Sequence, residues 1–458
     1  MQDSGPYSYI RRRRTPAPRR LWLGCAGVLV GALLLALLVY QIPFVKSRLS
    51  WRIDNLVSQV HHIINPPEEV IFNPSGLRDP AIQITSKATA TPATNQPAGT
   101  PFPTFEPNPP AVVLDGVVYV DQHGRWNYCG PANLAMALNY WGWSGDRDEV
   151  AREIKPGQDN PNMDFVEQGK IDKNVMPYEM ENFVTEFTQF GALTRVGGDI
   201  ELIKRLIARG FPVVVEKGYY EADYRGIVDW LGHYLFVTGY DDEGGYFVVQ
   251  DAYLKTGDNG TGANLQVAYQ DFIDQWRSFN YLFLVVYPPE QEADLLDALG
   301  PWADDVWANQ NALQVAKTEA ETLTSIDQYF AWFNVGTSHV RLFEYVDAAY
   351  AYDYTFQLYN ALDDSVYKRP FRMTWYQTGP YFAYYYSGFY KDVIDLANRT
   401  LYDWSSEPTL EESLYWRGMA YYALGETGNA VADFQETVRI NPKFDPGWAM
   451  LAELGISQ

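Results

Sequence analysis

Residues 117–143 read VVYVDQHGRWNYCGPANLAMALNYWGW and place a cysteine between an apolar run and an amphipathic segment. The apolar run, 117–120, predicts a strand. The Cys-Gly-Pro sequence predicts the start of a helix, because proline suits a first turn and apolar residues then recur on one face until Gly142. Cys129 is therefore expected at a helix N-terminus, where unpaired N–H groups and the helix dipole favour the thiolate, the nucleophilic form of cysteine.

Residues 232–253 read GHYLFVTGYDDEGGYFVVQDAY and supply groups that could activate such a thiol. Three strands are predicted in this half of the chain, at 211–218, 234–237 and 246–249. His233 opens the second of these strands and Asp251 closes the third. In an antiparallel pair, the start of one strand lies beside the end of the other. His233 is therefore predicted to activate the Cys129 thiol while Asp251 holds the imidazole tautomer.

Together these motifs resemble one family of hydrolases. The residues that carry the resemblance are Gln122, Cys129-Gly130-Pro131, the Gly232-His233 strand and Asp251. Over about residues 111–289, the chain resembles the C39-like peptidases, a branch of the papain-like fold. The resemblance implies an α+β papain-like catalytic domain in which Cys129 is the nucleophile, His233 the base and Asp251 the third member of the triad. It also implies that Gln122 helps to form the oxyanion hole, with the backbone N–H of Cys129 as the other donor.

Each of these residues also has an ordinary structural interpretation. Cys129 can be an inert buried thiol, and His233 can be a core histidine with satisfied hydrogen bonds. Asp251 can be a turn residue at a strand end, and Asp241 and Asp242 compete with it for the third position. The glutamine can equally lie on the surface.

The amino-terminal part of the chain predicts a membrane anchor. Residues 21–45 contain no charged side chain and are long enough to span a bilayer. Six arginines precede them, so the positive-inside rule places the basic tail, 1–20, in the cytoplasm and the rest of the chain outside the cell. A single-pass protein of the cell membrane is therefore predicted. A cleaved signal peptide is the alternative, although no A-x-A cleavage site follows the apolar stretch.

Two segments connect this anchor to the predicted catalytic domain. Apolar residues recur at helical spacing in 46–73, which predicts an amphipathic juxtamembrane segment. Residues 74–110 are rich in proline, threonine, alanine and asparagine, with few charges, and predict an extended linker. Such a linker would hold the catalytic domain away from the membrane.

A helical pattern begins at about residue 290 and predicts an all-α domain over 290–458. Three stretches in it resemble tetratricopeptide repeats, at 332–356, 381–401 and 414–442. Small residues at fixed positions of such repeats let paired helices pack closely. Gly336 and Tyr352 occupy small and aromatic repeat positions in the first stretch, Gly418 and Phe434 do so in the third, and the middle stretch is degenerate. The module predicts either a concave groove that binds a peptide or protein, or simple packing between helices.

Charge and residue counts exclude several classes of function. The net charge is −22, and because residues 1–50 carry +7, the rest of the chain carries −29. Such a surface should repel nucleic acid. The five histidines form no metal-ligand spacing, so neither a metal nor a cofactor is predicted. His123 is interpreted as a loop residue and His339 as structural. With Cys25 in the apolar span, Cys129 has no partner for a disulfide within the chain.

The sequence therefore predicts a membrane-anchored cysteine peptidase that acts on peptide or protein substrates and carries a repeat module for a substrate or partner. The double-glycine leader substrates of transporter-fused C39 domains are not transferred, because the chain shows no P-loop. Two alternatives remain: a catalytically silent scaffold that recruits proteins at the membrane, and a thiol acyltransferase. Deleting 290–458 should leave Cys129 reactive but weaken turnover, unless the repeats brace the catalytic domain.

Overall fold

The computed structural model describes residues 105–456, with gaps, and five single residues before them. The gaps are 126, 156–173, 223–227, 363–368, 371 and 404–409, and the single residues are Gly31, Val39, Ile42, Phe72 and Pro74. Residues 1–64 and 65–458 form two separate units. The predicted tail, span and juxtamembrane segment, and the linker up to residue 104, lie outside the described residues apart from these single positions. Among the described residues, no helix is long and apolar enough to cross a membrane.

Among the described residues up to 287 there are seven strands and five α-helices. In chain order they are β1 (Ala111–Val113), α1 (Cys129–Tyr140), α2 (Arg147–Ile154), α3 (Pro177–Phe187), β2 (Gly191–Arg195), α4 (Ile200–Ala208), β3 (Val213–Ala222), β4 (Val228–Asp241), β5 (Tyr246–Gln250), β6 (Leu265–Ala268), α5 (Tyr269–Trp276) and β7 (Phe283–Tyr287). This is the α+β architecture that the resemblance implied.

All seven strands belong to one antiparallel sheet. The strands lie in the order β2, β7, β3, β4, β5, β6, and β1 pairs with the last residues of β4. β3 and β4 form the central hairpin, in which Lys217 lies opposite His233 and Glu216 lies opposite Tyr234. The pairing of β4 with β5 shifts register between Val237 and Gly239, as a β-bulge does.

Successive side chains of a strand point to opposite sides of the sheet. Both sides carry apolar side chains here, and helices cover both of them. Val214, Tyr234 and Phe236 pack in one core, with the buried residues of α1 and α3. Val215 and Leu235 pack in a second core, with α4, α5 and a following helix. The strands are therefore apolar on both faces, and a charged residue in them needs a specific explanation.

The remainder of the described chain is largely helical. Its helices are α6 (Glu292–Leu299), α7 (Asp305–Thr322), α8 (Ser325–Arg341), α9 (Tyr345–Ala361), α10 (Met373–Tyr376), α11 (Gly379–Tyr386), α12 (Tyr390–Asn398), α13 (Glu411–Ala423), α14 (Thr427–Ile440) and α15 (Asp445–Glu453). Helix pairs occur within all three stretches that resemble repeats. Their identity as tetratricopeptide repeats stays a prediction.

Glycines bring the paired helices close together where the sequence placed small residues. A Cβ added to Gly336 of α8 would lie 2.7 Å from the ring of Tyr352 on α9. A Cβ on Gly418 of α13 would lie 2.7 Å from the ring of Phe434 on α14. Both aromatic rings are fully buried. Any larger residue at either glycine would force the two helices apart.

The helical region shares its main core with the sheet region. Trp230, Phe279 and Leu282 belong to the same cluster of buried side chains as many aromatic residues of α8 to α11. The ring centroids of Trp230 and Phe330 lie 5.8 Å apart. Phe72, from the predicted juxtamembrane segment, packs in the same core at 4.9 Å from Phe356. The two parts of the chain are thus packed as one body.

Two local expectations were wrong. Residues 117–120 form no strand, and the first strand of the sheet is β1, six residues earlier. His233 does not open its strand, because β4 begins at Val228 and pairs with β3 along ten residues. Pairing with β3 extends β4 back through Trp230 and Leu231, an apolar pair that was too short to stand out in the sequence. The helix start at Cys129 and the turn between β4 and β5 are confirmed.

Candidate active site

Cys129 is the first residue of α1 and is almost fully buried, with 5% of its surface exposed. The side chain of Asn133, one turn later, fixes this helix end to the sheet. Its Nδ2 donates to the carbonyl oxygen of Cys129 at 2.8 Å and to that of Tyr234 at 3.0 Å. Because Tyr234 directly follows His233 on β4, this amide holds the thiol and the histidine in register.

His233 and Asp251 form a buried pair. The Nε2 atom of His233 lies 2.9 Å from Oδ1 of Asp251, and both residues are less than 5% exposed. Asp251 follows the last residue of β5, whose pairing with β4 brings this end beside His233. The same Oδ1 accepts hydrogen bonds from the backbone N–H groups of Tyr253, at 2.8 Å, and Leu254, at 3.0 Å. The carboxylate is thus held from two directions.

The pair determines which ring nitrogen faces the thiol. A carboxylate only accepts hydrogen bonds, so Nε2 of His233 carries the proton that points to Asp251. His233 is also hydrogen-bonded to Cys129. Nδ1 is therefore the nitrogen that exchanges a proton with the sulfur, which is the role of a base that is itself oriented by a third group.

Electrostatics in this site favour the Cys129 thiolate and the His233 imidazolium over the neutral thiol and imidazole. Burial raises the pKa of the Cys129 thiol, but the hydrogen bond and charge of His233 and a hydrogen bond from the Tyr234 backbone outweigh it, so the pKa is lowered. Burial lowers the pKa of His233, but Asp251 and Cys129 outweigh it and raise the pKa to about 9. Despite burial, His233 and Lys217 hold the pKa of Asp251 well below its usual range.

Gln122 lies beside the segment that follows Asp251. Its backbone N–H donates to the carbonyl oxygen of Ala252 at 2.9 Å. Its side-chain oxygen is buried and has no hydrogen-bond partner among the described residues. This backbone contact places Gln122 beside Ala252, the residue that follows Asp251. The part of Gln122 in an oxyanion hole stays a prediction.

Glu216 belongs to this site although the sequence reasoning missed it. The residue is 2% exposed on β3, and Nδ2 of Asn174 donates to its Oε1 at 3.4 Å. Its carboxyl is also hydrogen-bonded to the hydroxyl of Tyr234, whose single proton is donated to the carbonyl of Val175 at 2.8 Å.

The surroundings of Glu216 shift its pKa. Burial, and then the nearby Cys129, raise the pKa of Glu216 well above its usual value. Burial and the nearby thiolate therefore both favour the neutral form of this carboxyl over a second negative charge. A sequence signal did exist: Glu216 and Lys217 interrupt an otherwise apolar strand, and a charged pair inside a buried strand indicates a functional or strongly paired position.

The competing sequence candidates lie elsewhere. Asp241 ends β4, eight residues beyond His233, which is roughly 25 Å along a strand. Asp242 pairs with Lys204 at 2.9 Å. His123 is in a loop, 2.7 Å from Asp121. His339 is in the helical region, with Nδ1 2.6 Å from Glu344. Of the three aspartates considered, only Asp251 contacts His233.

In the part of the chain that the structure describes, two groups of side chains have potential metal-ligand atoms within 4.8 Å of one another. They are His339, Glu344 and Asp347, and Glu179, Glu411 and Glu412. Neither group includes Cys129 or His233.

Comparison with known proteins identifies one domain of the chain. The model of the Peptidase_C39 like family matches residues 114–283, which form a C39-like peptidase domain within the longer chain. None of the curated proteins compared with the chain matches it.

Two solved structures are similar to this domain. One, described as a C39-like peptidase from Bacillus anthracis, is 19% identical, covers 38% of this chain and 96% of its own, and has a TM-score of 0.30. The other is Xylellain, a cysteine protease from Xylella fastidiosa. It is 16% identical, covers 40% of this chain and 87% of its own, and has a TM-score of 0.26.

Proposed function

We propose that the protein is a cysteine peptidase that hydrolyses peptide bonds through Cys129, His233 and Asp251. One observation carries the proposal: a buried histidine is hydrogen-bonded both to a thiol at a helix N-terminus and to a carboxylate at 2.9 Å. The match of residues 114–283 to a peptidase family supports the same reaction class.

The reaction follows from where the protons lie. The Cys129 thiolate attacks the carbonyl carbon of the substrate, and the C–N bond breaks as Nδ1–H of His233 protonates the leaving amine. Water then attacks the resulting thioester while His233 takes one of its protons, which releases the acid product and restores the thiol. Asp251 stabilises the imidazolium throughout. The backbone N–H of Cys129 and the side chain of Gln122 are the proposed donors to the oxyanion.

We propose further that the peptidase is anchored by residues 21–45 and faces the outside of the cell. The arginines that precede the apolar stretch support this orientation. External protease added to intact cells should cut within 74–110 and release the catalytic domain. Release only after permeabilisation would reverse the orientation.

Activity is tested on a Cys25→Ser background, in which Cys129 is the only thiol. The protein is incubated with a peptide library, and Cys129→Ala, His233→Ala and the distant His339→Ala are compared. Cleavage that is lost in the first two variants and kept in the third supports the proposal. Iodoacetamide labelling that is unchanged by His233→Ala, with no cleavage of any peptide, indicates a silent scaffold. Acyl products formed only with added amines indicate a transferase.

A further inference from the structure

Tyr376, a residue of the helical region, lies directly against the strand that carries His233. A Cβ placed on Gly232 would be 2.8 Å from Cδ1 of Tyr376, so only glycine leaves room for the ring. The backbone of Gly232 lies close enough to the hydroxyl of Tyr376 to act on it as a hydrogen-bond partner and lower the pKa of this phenol. Its ring also meets Trp230, two residues earlier on β4, edge to face at 5.6 Å.

The position of Tyr376 is set by the docking of the helical region. The neighbouring Gln377 donates from Nε2 to the carbonyl oxygen of Ser278 at 2.7 Å. The ring of Phe279 lies 6.1 Å from that of Tyr376 and stacks on Trp230 at 5.8 Å. These contacts hold α10 on the sheet region.

The contact with Gly232 bears directly on the thiol. Gly232 and His233 share a peptide bond, so a group that holds the backbone of Gly232 also restrains the Cα position of His233. Burial raises the pKa of the Tyr376 phenol, and although Arg372 and the Gly232 backbone lower it, the pKa stays above its usual value. The phenol therefore stays neutral and adds no charge to the site.

We propose that Tyr376 is a positioning residue for His233, so that the helical region completes the active site of the peptidase domain. This inference rests on the proposed function for its biological meaning, but the geometry of the thiol–imidazole pair can be tested without a substrate. The helical region would then act on the reaction itself, in addition to any binding of a partner.

The test compares Tyr376→Phe with Tyr381→Phe in the full chain, again with Cys25→Ser. Tyr376→Phe keeps the ring on Gly232 and removes only its hydroxyl. Tyr381 is a matched control, since it is fully buried in the helical region and its hydroxyl bonds Thr400 and Ser413 at 3.0 Å. The rate of Cys129 alkylation by iodoacetamide is measured across pH for each variant.

The expected result is a fall of about two- to tenfold in the alkylation rate at neutral pH for Tyr376→Phe, the range that one net hydrogen bond covers. The limiting rate at high pH should not change, because any thiol is then ionised. Tyr381→Phe should keep the profile of the parent protein. A Tyr376→Phe profile that matches the parent, or an equal shift in both variants, overturns the inference. A shift in Tyr376→Phe alone, with no cleavage of any peptide by the parent, rejects the proposed peptidase activity and keeps the positioning role.

Discussion

At the scale of single residues, the charge on Asp251 decides the state of His233. Burial alone would lower the pKa of this imidazole and leave it neutral. The carboxylate at 2.9 Å reverses that effect, so the imidazolium persists up to a pH of about 9. Because the folded pKa of His233 is raised, this protonated state is complete at low pH and is lost as the pH rises through about 9.

Replacing Asp251 by Asn keeps an acceptor for Nε2 of His233 and removes its charge. The pKa of His233 should fall, so the imidazolium that stabilises the Cys129 thiolate is lost at neutral pH. We expect alkylation of Cys129 at neutral pH to fall about tenfold or more, since one pKa unit is a factor of ten. Asp241→Asn, at the far end of β4, is the control. Equal profiles for the two variants would show that Asp251 does not set the charge of His233.

Glu216 gives a prediction about how the stability of the protein depends on pH. Because its folded pKa is raised, the folded protein binds a proton that the unfolded chain releases, so Glu216 costs stability as the pH rises above the usual carboxyl value of about 4.3. Gln at this position can still donate a hydrogen bond to Tyr234. We therefore expect Glu216→Gln to be more stable relative to the parent at about pH 7 than at about pH 4, because the parent loses stability once the pH exceeds the usual carboxyl pKa.

Denaturant unfolding at the two pH values measures this difference. Thiol alkylation at neutral pH should stay within about twofold of the parent, because the carboxyl is already uncharged and the change is smaller than one net hydrogen bond. If the stability of Glu216→Gln relative to the parent fell between acid and neutral pH, Glu216 would have to be ionised in the folded protein. A large loss of alkylation would mean that its negative charge supports the imidazolium.

At the scale of elements, one glycine sets the distance between α8 and α9, and another sets the distance between α13 and α14. Gly418 of α13 faces the ring of Phe434, with no room for a methyl group. Gly428, in the first turn of the partner helix α14, has no atom within 4 Å of its Cβ position. The two glycines therefore have opposite roles: one permits packing and the other only weakens its helix.

Alanine at these two positions separates packing from helix propensity. Gly418→Ala should destabilise the protein by about 1–3 kcal/mol, since overpacking forces side chains or backbone to shift. Gly428→Ala should stabilise it by at most about 1 kcal/mol. The free energy of unfolding is measured for both in the full chain. Similar small effects would show that the α13–α14 pair has space to adjust and that Gly418 is not required for close packing.

At the scale of the whole molecule, the helical region and the sheet region share one core. Removal of residues 290–458 would uncover Trp230 and Phe279, which are at most 3% exposed in the intact protein. Each buried aromatic side chain contributes about 1.5–3 kcal/mol through the area it removes from water. This packing favours the interpretation of the repeats as a brace over the expectation that the catalytic part works alone.

A chain of residues 105–289 should therefore melt without a cooperative transition or at a much lower temperature than residues 65–458. It should also bind a dye that reports exposed apolar surface. The cause would be the loss of the cover over Trp230, Phe279 and Leu282. A cooperative transition at the temperature of the longer chain, with unchanged alkylation of Cys129, would contradict this and support a separable delivery module.

The sequence by itself determined the features that depend on local rules. The helix start at Cys129 follows from the Cys-Gly-Pro sequence, and the β4–β5 turn follows from the Asp-Asp-Glu-Gly-Gly sequence. The proximity of His233 and Asp251 follows from antiparallel pairing across that turn. Helical periodicity was enough to predict the class of the carboxyl-terminal region and the glycines between its helices.

Only the tertiary structure decided what depends on residues far apart in the chain. The early start of β4 comes from pairing with β3, which no local pattern encodes. The raised pKa of Glu216 comes from its complete burial, and burial is a property of the packed molecule. Tyr376 reaches Gly232 because two regions share a core, although 144 residues separate them in the sequence. Local rules cannot describe such contacts, because they form only when distant apolar surfaces leave water together.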